Sequence, residues 1–153
     1  MTTIDEALAA HPFFEDLDPG LRRRFAACSQ PVGFPADATI LRHGGSADRL
    51  YALTSGRVAV GLRTPARGLQ VIETLQSGDI LGWSWLFPPY RWNFDAVALK
   101  PVTAIEVGTA CIRSVLDTDP AAAAVIYRNV GAAMADRLQS ARLRLADIFG
   151  EGH

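Results

Sequence analysis

The sequence lacks the excess of positive charge that a nucleic-acid-binding domain usually carries. Its 15 lysines and arginines nearly balance 16 aspartates and glutamates, which leaves a net charge of −1. A protein that binds nucleic acid directly needs a basic face to neutralise phosphates. We therefore expect no direct nucleic-acid partner.

Cysteines and histidines are also scarce. The two cysteines, Cys28 and Cys111, form no CxxC pair, and the three histidines fall in different regions. This spacing predicts no metal site. Nucleophile-elbow, phosphate-loop and dinucleotide-binding motifs are missing as well, so we predict no catalytic residues, and we expect Glu73 to be solvated on a strand. Two lone thiols fit a reducing compartment, although one disulfide remains an alternative.

Long apolar runs are absent. No stretch approaches the ~20 apolar residues of a membrane span. The first residues have neither the positive start nor the apolar run of a signal peptide. We expect a cytoplasmic protein with no membrane partner. Hydrophobic residues make up 49% of the chain and charged residues 20%, which predicts a single folded domain over residues 1–153.

Turn residues and hydrophobic periodicity divide this domain into three parts. Residues 1–30 have the pattern of short N-terminal helices. Residues 31–108 contain about eight short apolar runs separated by glycine and proline, and Val58 and Val60 alternate with polar or small residues. This alternation is typical of strands with one buried face. Residues 109–149 are helical again, as a short hinge helix and then a long helix.

Capping residues mark the starts of these helices. Thr3 is a candidate N-cap for the first helix, and Thr109 for the hinge helix. Asp18 and Asp119 each precede a proline, which is a favourable arrangement for the start of a helix. We expect the last helix to run from Asp119 to Phe149, ahead of a glycine.

The glycine turns and strand lengths resemble those of the cyclic-nucleotide-binding domain, the sensor module of catabolite-activator-type regulators. The similar segments are "GGSADRLYALTSGRVAV", "VIETLQSGDILG" and "VALKPVTAIEV", and the resemblance covers about residues 10 to 149. It implies a mainly β fold with flanking α-helices: a double-stranded β-helix (jelly roll) with N-terminal helices and a long C-terminal helix. Only four residues follow that helix, so we expect no helix-turn-helix domain after it.

The resemblance places a nucleotide-binding cassette in "LGWSWLFPPYRWNFDA", which holds all three tryptophans. In the family, a glutamate after a glycine binds the ribose hydroxyl, and an arginine further on pairs with the cyclic phosphate. Here Trp83 follows Gly82 where the glutamate is expected. The arginine position falls near Trp92, with Arg91 one residue away.

Three interpretations of this aromatic cassette are open. The rings fill the pocket as a ligand-free core, or they form a cage for another planar or anionic ligand, or the loop docks on a partner protein. We expect a non-catalytic sensor that binds a small ligand other than, or less tightly than, cyclic AMP. The alternative is a structural or interaction module filled by its own rings. No cofactor is predicted, and a cyclic nucleotide remains an open candidate. The candidate ligand-binding residues are Gly82, Trp83, Ser84, Trp85, Arg91, Trp92 and Asn93.

The last helix carries an apolar seam. Its members recur at steps of four and three, which is the a/d spacing of a helix that pairs with another helix. We expect a homodimer through this seam, with docking on the chain's own domain as the alternative. Ligand binding would then shift the hinge helix near Thr109–Asp117 and the long helix beyond it. The seam residues are Met134, Leu138, Ala141, Leu145 and Ile148.

Overall fold

Two four-stranded antiparallel sheets form the centre of the protein. Two helices that precede the strands in the chain and two that follow them pack against these sheets. The computed structural model describes residues 3–150. The helices are α1 (Ile4–Ala10), α2 (Pro19–Ala27), α3 (Thr109–Thr118) and α4 (Pro120–Gly150), with a short 3-10 helix at Ser84–Leu86. The strands are β1 (Ser29–Phe34), β2 (Thr39–Leu41), β3 (Arg49–Ser55), β4 (Arg57–Thr64), β5 (Gly68–Gln76), β6 (Ile80–Leu81), β7 (Asp95–Ala98) and β8 (Val102–Gly108).

The strand order identifies the architecture. One sheet has the order β1-β8-β3-β6 and the other β2-β7-β4-β5, so strands that follow one another in the chain often lie in opposite sheets. This is the arrangement of a jelly roll. The predicted fold class, a β jelly roll with N-terminal helices and a long C-terminal helix, is confirmed.

Three of the four predicted helix caps are confirmed. The Thr3 hydroxyl accepts a hydrogen bond from the N–H three residues later, at 3.1 Å. The carboxylates of Asp18 and Asp119 accept from N–H groups in the first turns of α2 and α4, at 3.0 and 3.1 Å. Each bond satisfies a donor that the helix itself leaves unpaired.

The predicted cap at Thr109 is wrong. Gly108 is the capping residue of α3, and no side chain caps this helix. Thr109 is instead buried as the first helical residue, and its N–H donates to the carbonyl of Asp48 at 3.1 Å. The helix therefore begins one residue earlier than a cap at Thr109 requires, and the bond to Asp48 fixes its first residue.

One continuous group of buried apolar side chains connects the sheets with all four helices. Phe14 and Phe25 meet edge to face beneath the N-terminal helices, with ring centroids 6.0 Å apart. Leu50 of β3 and Val107 of β8 are fully buried, and Ile126 joins the first half of α4 to the same core. Each such side chain contributes about 1.5–3 kcal/mol to folding.

The second half of α4 lies over β5 through polar contacts. Arg137 is largely buried, and its Nε lies 3.9 Å from a carboxylate oxygen of Glu73. Burial lowers the pKa of Arg137, and the Glu73 carboxylate opposes this effect. Further along, Arg144 donates to the carbonyl of Ile72. Glu73, which we expected to be solvated, is therefore half-buried beneath α4, with 24% of its side chain exposed.

Residues 3–150 also show how the two cysteines are arranged and whether a helix could cross a membrane. Cys28 and Cys111 are joined in a disulfide. The sequence left this pairing as an alternative to free thiols. Within the same residues, none of the helices combines the length and the hydropathy that crossing a bilayer requires.

Candidate functional site

The aromatic cassette begins where β6 ends. Gly82 has a φ of +92°, a backbone conformation that glycine adopts without the strain of other residues. A Cβ atom added at Gly82 would lie only 2.7 Å from Cη2 and 2.8 Å from Cζ3 of Trp92. Two independent constraints, the positive φ and the indole against the backbone, therefore require glycine here.

Trp92 is fixed by hydrogen bonds of its backbone and by the packing of its buried side chain. Its N–H donates to the carbonyl of Gly45, and its carbonyl accepts from the N–H of Gly44, both at 2.9 Å. The indole is only 7% exposed and extends from the Gly44–Gly45 turn to Gly82. The ring therefore fills the space directly in front of Gly82.

Trp85 forms the second buried ring of the cassette. It is fully buried in the 3-10 helix, and its Nε1 donates to the carbonyl of Gly82 at 3.1 Å. Because the indole N–H has this partner, the ring is buried without an unsatisfied donor. Trp83, which precedes the 3-10 helix, is half-buried.

The polar candidates lie nearer the surface. Arg91 is exposed, and its Nη1 donates to the carbonyl of Gly44 at 2.9 Å. Asn93 is exposed and Ser84 is half-buried. The structure thus brings Gly82, Trp85 and Trp92 into direct contact and leaves Arg91 and Asn93 at the rim.

Arg113 of α3 is a part of this site that the sequence did not reveal. Its Nη2 donates to the carbonyl of Trp85, and its guanidinium carbon lies 4.2 Å from the centre of the Tyr90 ring. These contacts combine a hydrogen bond with a cation–π interaction. They connect the hinge helix to the cassette. Beside them is an open cleft of about 780 Å³, lined in part by Ser46, Asp48, Tyr90, Arg91, Arg113 and Asp117.

The one carboxylate in the cassette segment belongs to Asp95, and both of its oxygens accept hydrogen bonds from backbone N–H groups. Asp95 is buried at the start of β7, where one oxygen accepts from the N–H of His43 at 2.9 Å. Its other oxygen accepts from the N–H of Arg63 at 3.2 Å. Asp95 therefore fixes the end of the cassette, and its two oxygens already have donors.

The seam of α4 divides between burial and exposure. Met134 is half-buried against the core, and Ala141 is half-buried. Leu138, Leu145 and Ile148 are 54%, 53% and 64% exposed. The outer half of the helix therefore presents a row of apolar side chains that this chain alone does not cover.

No candidate metal site occurs in residues 3–150. No group of three or more histidine, cysteine, aspartate or glutamate side chains among them is arranged to hold a metal ion.

The comparison with protein families identifies the class of this fold. A model of the cyclic nucleotide-binding domain matches residues 31–119, which include most of the jelly roll, the cassette and α3. The chain belongs to the cyclic nucleotide-binding domain family.

A curated relative of this chain is a bacterial transcriptional regulator. The chain is 28% identical over 146 residues to a CRP-like cAMP-activated global transcriptional regulator of Mycobacterium tuberculosis, covering 95% of this chain and 63% of the regulator. The chain thus spans somewhat less than two thirds of that relative.

Solved structures show the same fold. A crystal structure described as a cyclic nucleotide-binding protein from Geobacter metallireducens has a TM-score of 0.80 and 28% identity, over 90% of this chain and 99% of that one. A cyclic nucleotide-binding domain from Methylobacillus flagellatus has a TM-score of 0.76 and 20% identity, over 95% and 82% of the two chains. These likenesses show that the chain shares its fold with solved cyclic nucleotide-binding domains.

Proposed function

We propose that this protein is a non-catalytic regulatory module whose nucleotide cassette is filled by its own aromatic side chains. The observation that carries this proposal is the contact between the buried Trp92 indole and Gly82. The family resemblance places the group that binds the nucleotide's ribose directly after this glycine. A ligand there would have to displace an indole that already stabilises the fold.

The chemistry of the cassette supports the same proposal. A cyclic phosphate is best recognised by a guanidinium, and a ribose hydroxyl by a carboxylate. Trp92 and Trp83 occupy the corresponding positions and supply neither group. Arg91, the nearest arginine in sequence, already donates to the carbonyl of Gly44. Cyclic AMP would therefore lose both of its charged or strongly polar contacts.

Titration calorimetry with cyclic AMP and cyclic GMP tests this proposal directly. We expect no saturable heat and no change in tryptophan fluorescence up to millimolar nucleotide. Saturable binding near one nucleotide per chain that is lost in Arg91→Gln would contradict the proposal. It would support the sensor interpretation, in which Trp92 leaves Gly82 and the rings form a cage. Asn93→Ala, at the same rim, is the control for a general disturbance of the loop.

We further propose that two chains pair through the outer half of α4. The exposed Leu138, Leu145 and Ile148 follow the spacing of a helix–helix seam. Pairing would remove these side chains from water, at about 25 cal/mol for each Å² of apolar surface.

The oligomeric state tests the seam with a matched pair of variants. The double variant Leu138→Glu/Leu145→Glu is expected to sediment as a monomer at concentrations where the parent is a dimer. Gln139→Glu/Ala146→Glu adds the same charge one residue further along the helix, at exposed positions off the seam, and should remain a dimer. A monomeric parent, or equal masses for parent and seam variant, would contradict this pairing.

The tip of the cassette favours a second role, the recognition of a partner protein. Phe87 and Tyr90 are exposed on either side of Pro88 and Pro89. Tyrosine is among the residues that most often dominate the energy of protein–protein contacts. Proximity labelling with the parent and with Phe87→Ser tests this role. A partner labelled only by the parent is expected, whereas identical labelling would contradict it.

A further inference from the structure

The two cysteines meet at the junction between the N-terminal helices and the hinge helix. Cys28 is the residue after α2, and Cys111 lies in the first turn of α3. They are separated by 83 residues in sequence, yet their Cα atoms are 6.3 Å apart. The N–H of Gly108 also donates to the carbonyl of Cys28, at 3.2 Å. A backbone contact therefore holds the two segments together independently of the sulfur atoms.

This junction is open to reagents. Cys28 is exposed and Cys111 is half-buried. A small thiol or disulfide can therefore approach Cys28 from solvent. Access of this kind distinguishes a reactive pair from a disulfide sealed in a core.

The hinge helix α3 connects this junction to the aromatic cassette. Arg113 follows Cys111 by two residues, which corresponds to a rotation of about 200° around the helix axis. The two side chains therefore project from nearly opposite sides of α3. On one side Cys111 is bonded to Cys28. On the other, Arg113 contacts the Trp85 carbonyl and the Tyr90 ring.

We propose that Cys28 and Cys111 are a redox-sensitive pair whose disulfide fixes α3 and so keeps Arg113 on the aromatic cassette. In the oxidised protein, the bond restrains both the position and the rotation of α3. In the reduced protein, α3 keeps only its non-covalent contacts, and the segment Trp83–Phe94 opens more often. This inference does not depend on whether the cassette binds a ligand.

The chemistry is ordinary thiol–disulfide exchange. One cysteine thiolate attacks a low-molecular-weight disulfide, forms a mixed disulfide and releases one thiol. The second cysteine thiolate then attacks the mixed disulfide, closes the Cys28–Cys111 bond and releases the second thiol. Overall, the protein loses two protons and two electrons, and the small disulfide takes them up. A dithiol reductant reverses both steps.

Mass spectrometry and thiol labelling test the first part of this proposal. After treatment of the folded protein with an oxidised low-molecular-weight disulfide, we expect a chain two hydrogen atoms lighter than the reduced one, with no titratable thiol. Treatment with a dithiol should restore both thiols. If both thiols remain titratable in the folded protein after oxidation, the proposal is wrong.

Hydrogen exchange tests the coupling to the cassette. We expect the amides of residues 83–94 to lose protection on reduction, while those of β4 and β8 keep it. The double variant Cys28→Ser/Cys111→Ser should match the reduced parent with and without dithiol. Oxidised Arg113→Gln should expose the same segment without reduction. Equal exchange of residues 83–94 in the oxidised and reduced parent would overturn the coupling, and this comparison requires no variant.

Discussion

Trp92→Ala provides a direct test of whether the aromatic cassette is part of the core. The substitution removes an indole that is 7% exposed and lies against Gly82. It leaves intact the two backbone hydrogen bonds between residue 92 and the Gly44–Gly45 turn. Its effect on stability therefore reports on the ring.

The expected loss follows from the buried area. An aromatic side chain of this size buries about 200 Å². At about 25 cal/mol for each Å², this corresponds to about 5 kcal/mol. Residual burial in the unfolded chain reduces that value by roughly 10–40%. We expect Trp92→Ala to lower the free energy of unfolding by about 3–5 kcal/mol, in the range measured for large-to-small changes in protein cores.

Urea unfolding followed by circular dichroism gives this quantity, with Phe87→Ala as the control. Phe87 is an exposed ring of the same loop, so its removal should cost less than about 1 kcal/mol. A loss below about 1 kcal/mol for Trp92→Ala, with an unchanged slope against urea, would show that the ring is not packed as described. The cassette would then be an open cage, and the proposed filling of the pocket would be wrong.

Three other changes probe the same structure by different physical effects. Gly82→Ala should destabilise the fold by about 2–4 kcal/mol, because residue 82 has a positive φ and the added Cβ would clash with Trp92. Unfolding measurements should show a smaller cost of this substitution in a Trp92→Ala background. Burial lowers the pKa of His11 below its ordinary value of 6.5, despite the opposing effect of nearby carboxylates. The unfolded chain therefore binds the proton more readily than the folded protein does. The free energy of unfolding should decline as the pH falls below about 6.5, by at most about 1.4 kcal/mol per pH unit. His11→Gln should flatten this pH dependence, and an unchanged slope would contradict its assignment to His11. Reduction of the Cys28–Cys111 disulfide should lower the free energy of unfolding by about 4 kcal/mol, since the bond closes a loop of more than 80 residues. Calorimetry should then show a fall in Tm of roughly 8–16 °C. An unchanged Tm would count against the bond.

The fold was predictable because its signals are local. Alternating side chains such as Val58 and Val60, glycine turns, and the capping aspartates Asp18 and Asp119 each act over a few residues. These signals agree with one another along the chain, and the helices and strands follow them. The prediction of one buried face was wrong for β4, because Ala59 between Val58 and Val60 is buried as well. The cap at Thr109 was wrong because α3 begins one residue earlier, at Thr109 itself, whose N–H binds the distant carbonyl of Asp48.

The site was less predictable because its contacts join distant parts of the chain. The sequence showed that tryptophans occupy the cassette, but the contact of Trp92 with Gly82 depends on how the loop closes. Arg113 lies on a helix beyond two further strands, and no local pattern connects it to Trp85. Glu73 has the appearance of a solvated strand residue until α4 places Arg137 over it.

A filled cassette changes where regulation can act. A ligand shifts a conformational equilibrium only by the difference between its affinities for the two states. If Trp92 takes the place of the ligand, its contribution is always present, because the indole is part of the chain. Arg113 then joins α3 to the cassette whether or not a nucleotide is present. An input must therefore come from the other contacts of the hinge, namely the Cys28–Cys111 bond and the helix α4 with its exposed seam. For this reason, oxidation state and chain pairing are expected to control the module more strongly than any nucleotide.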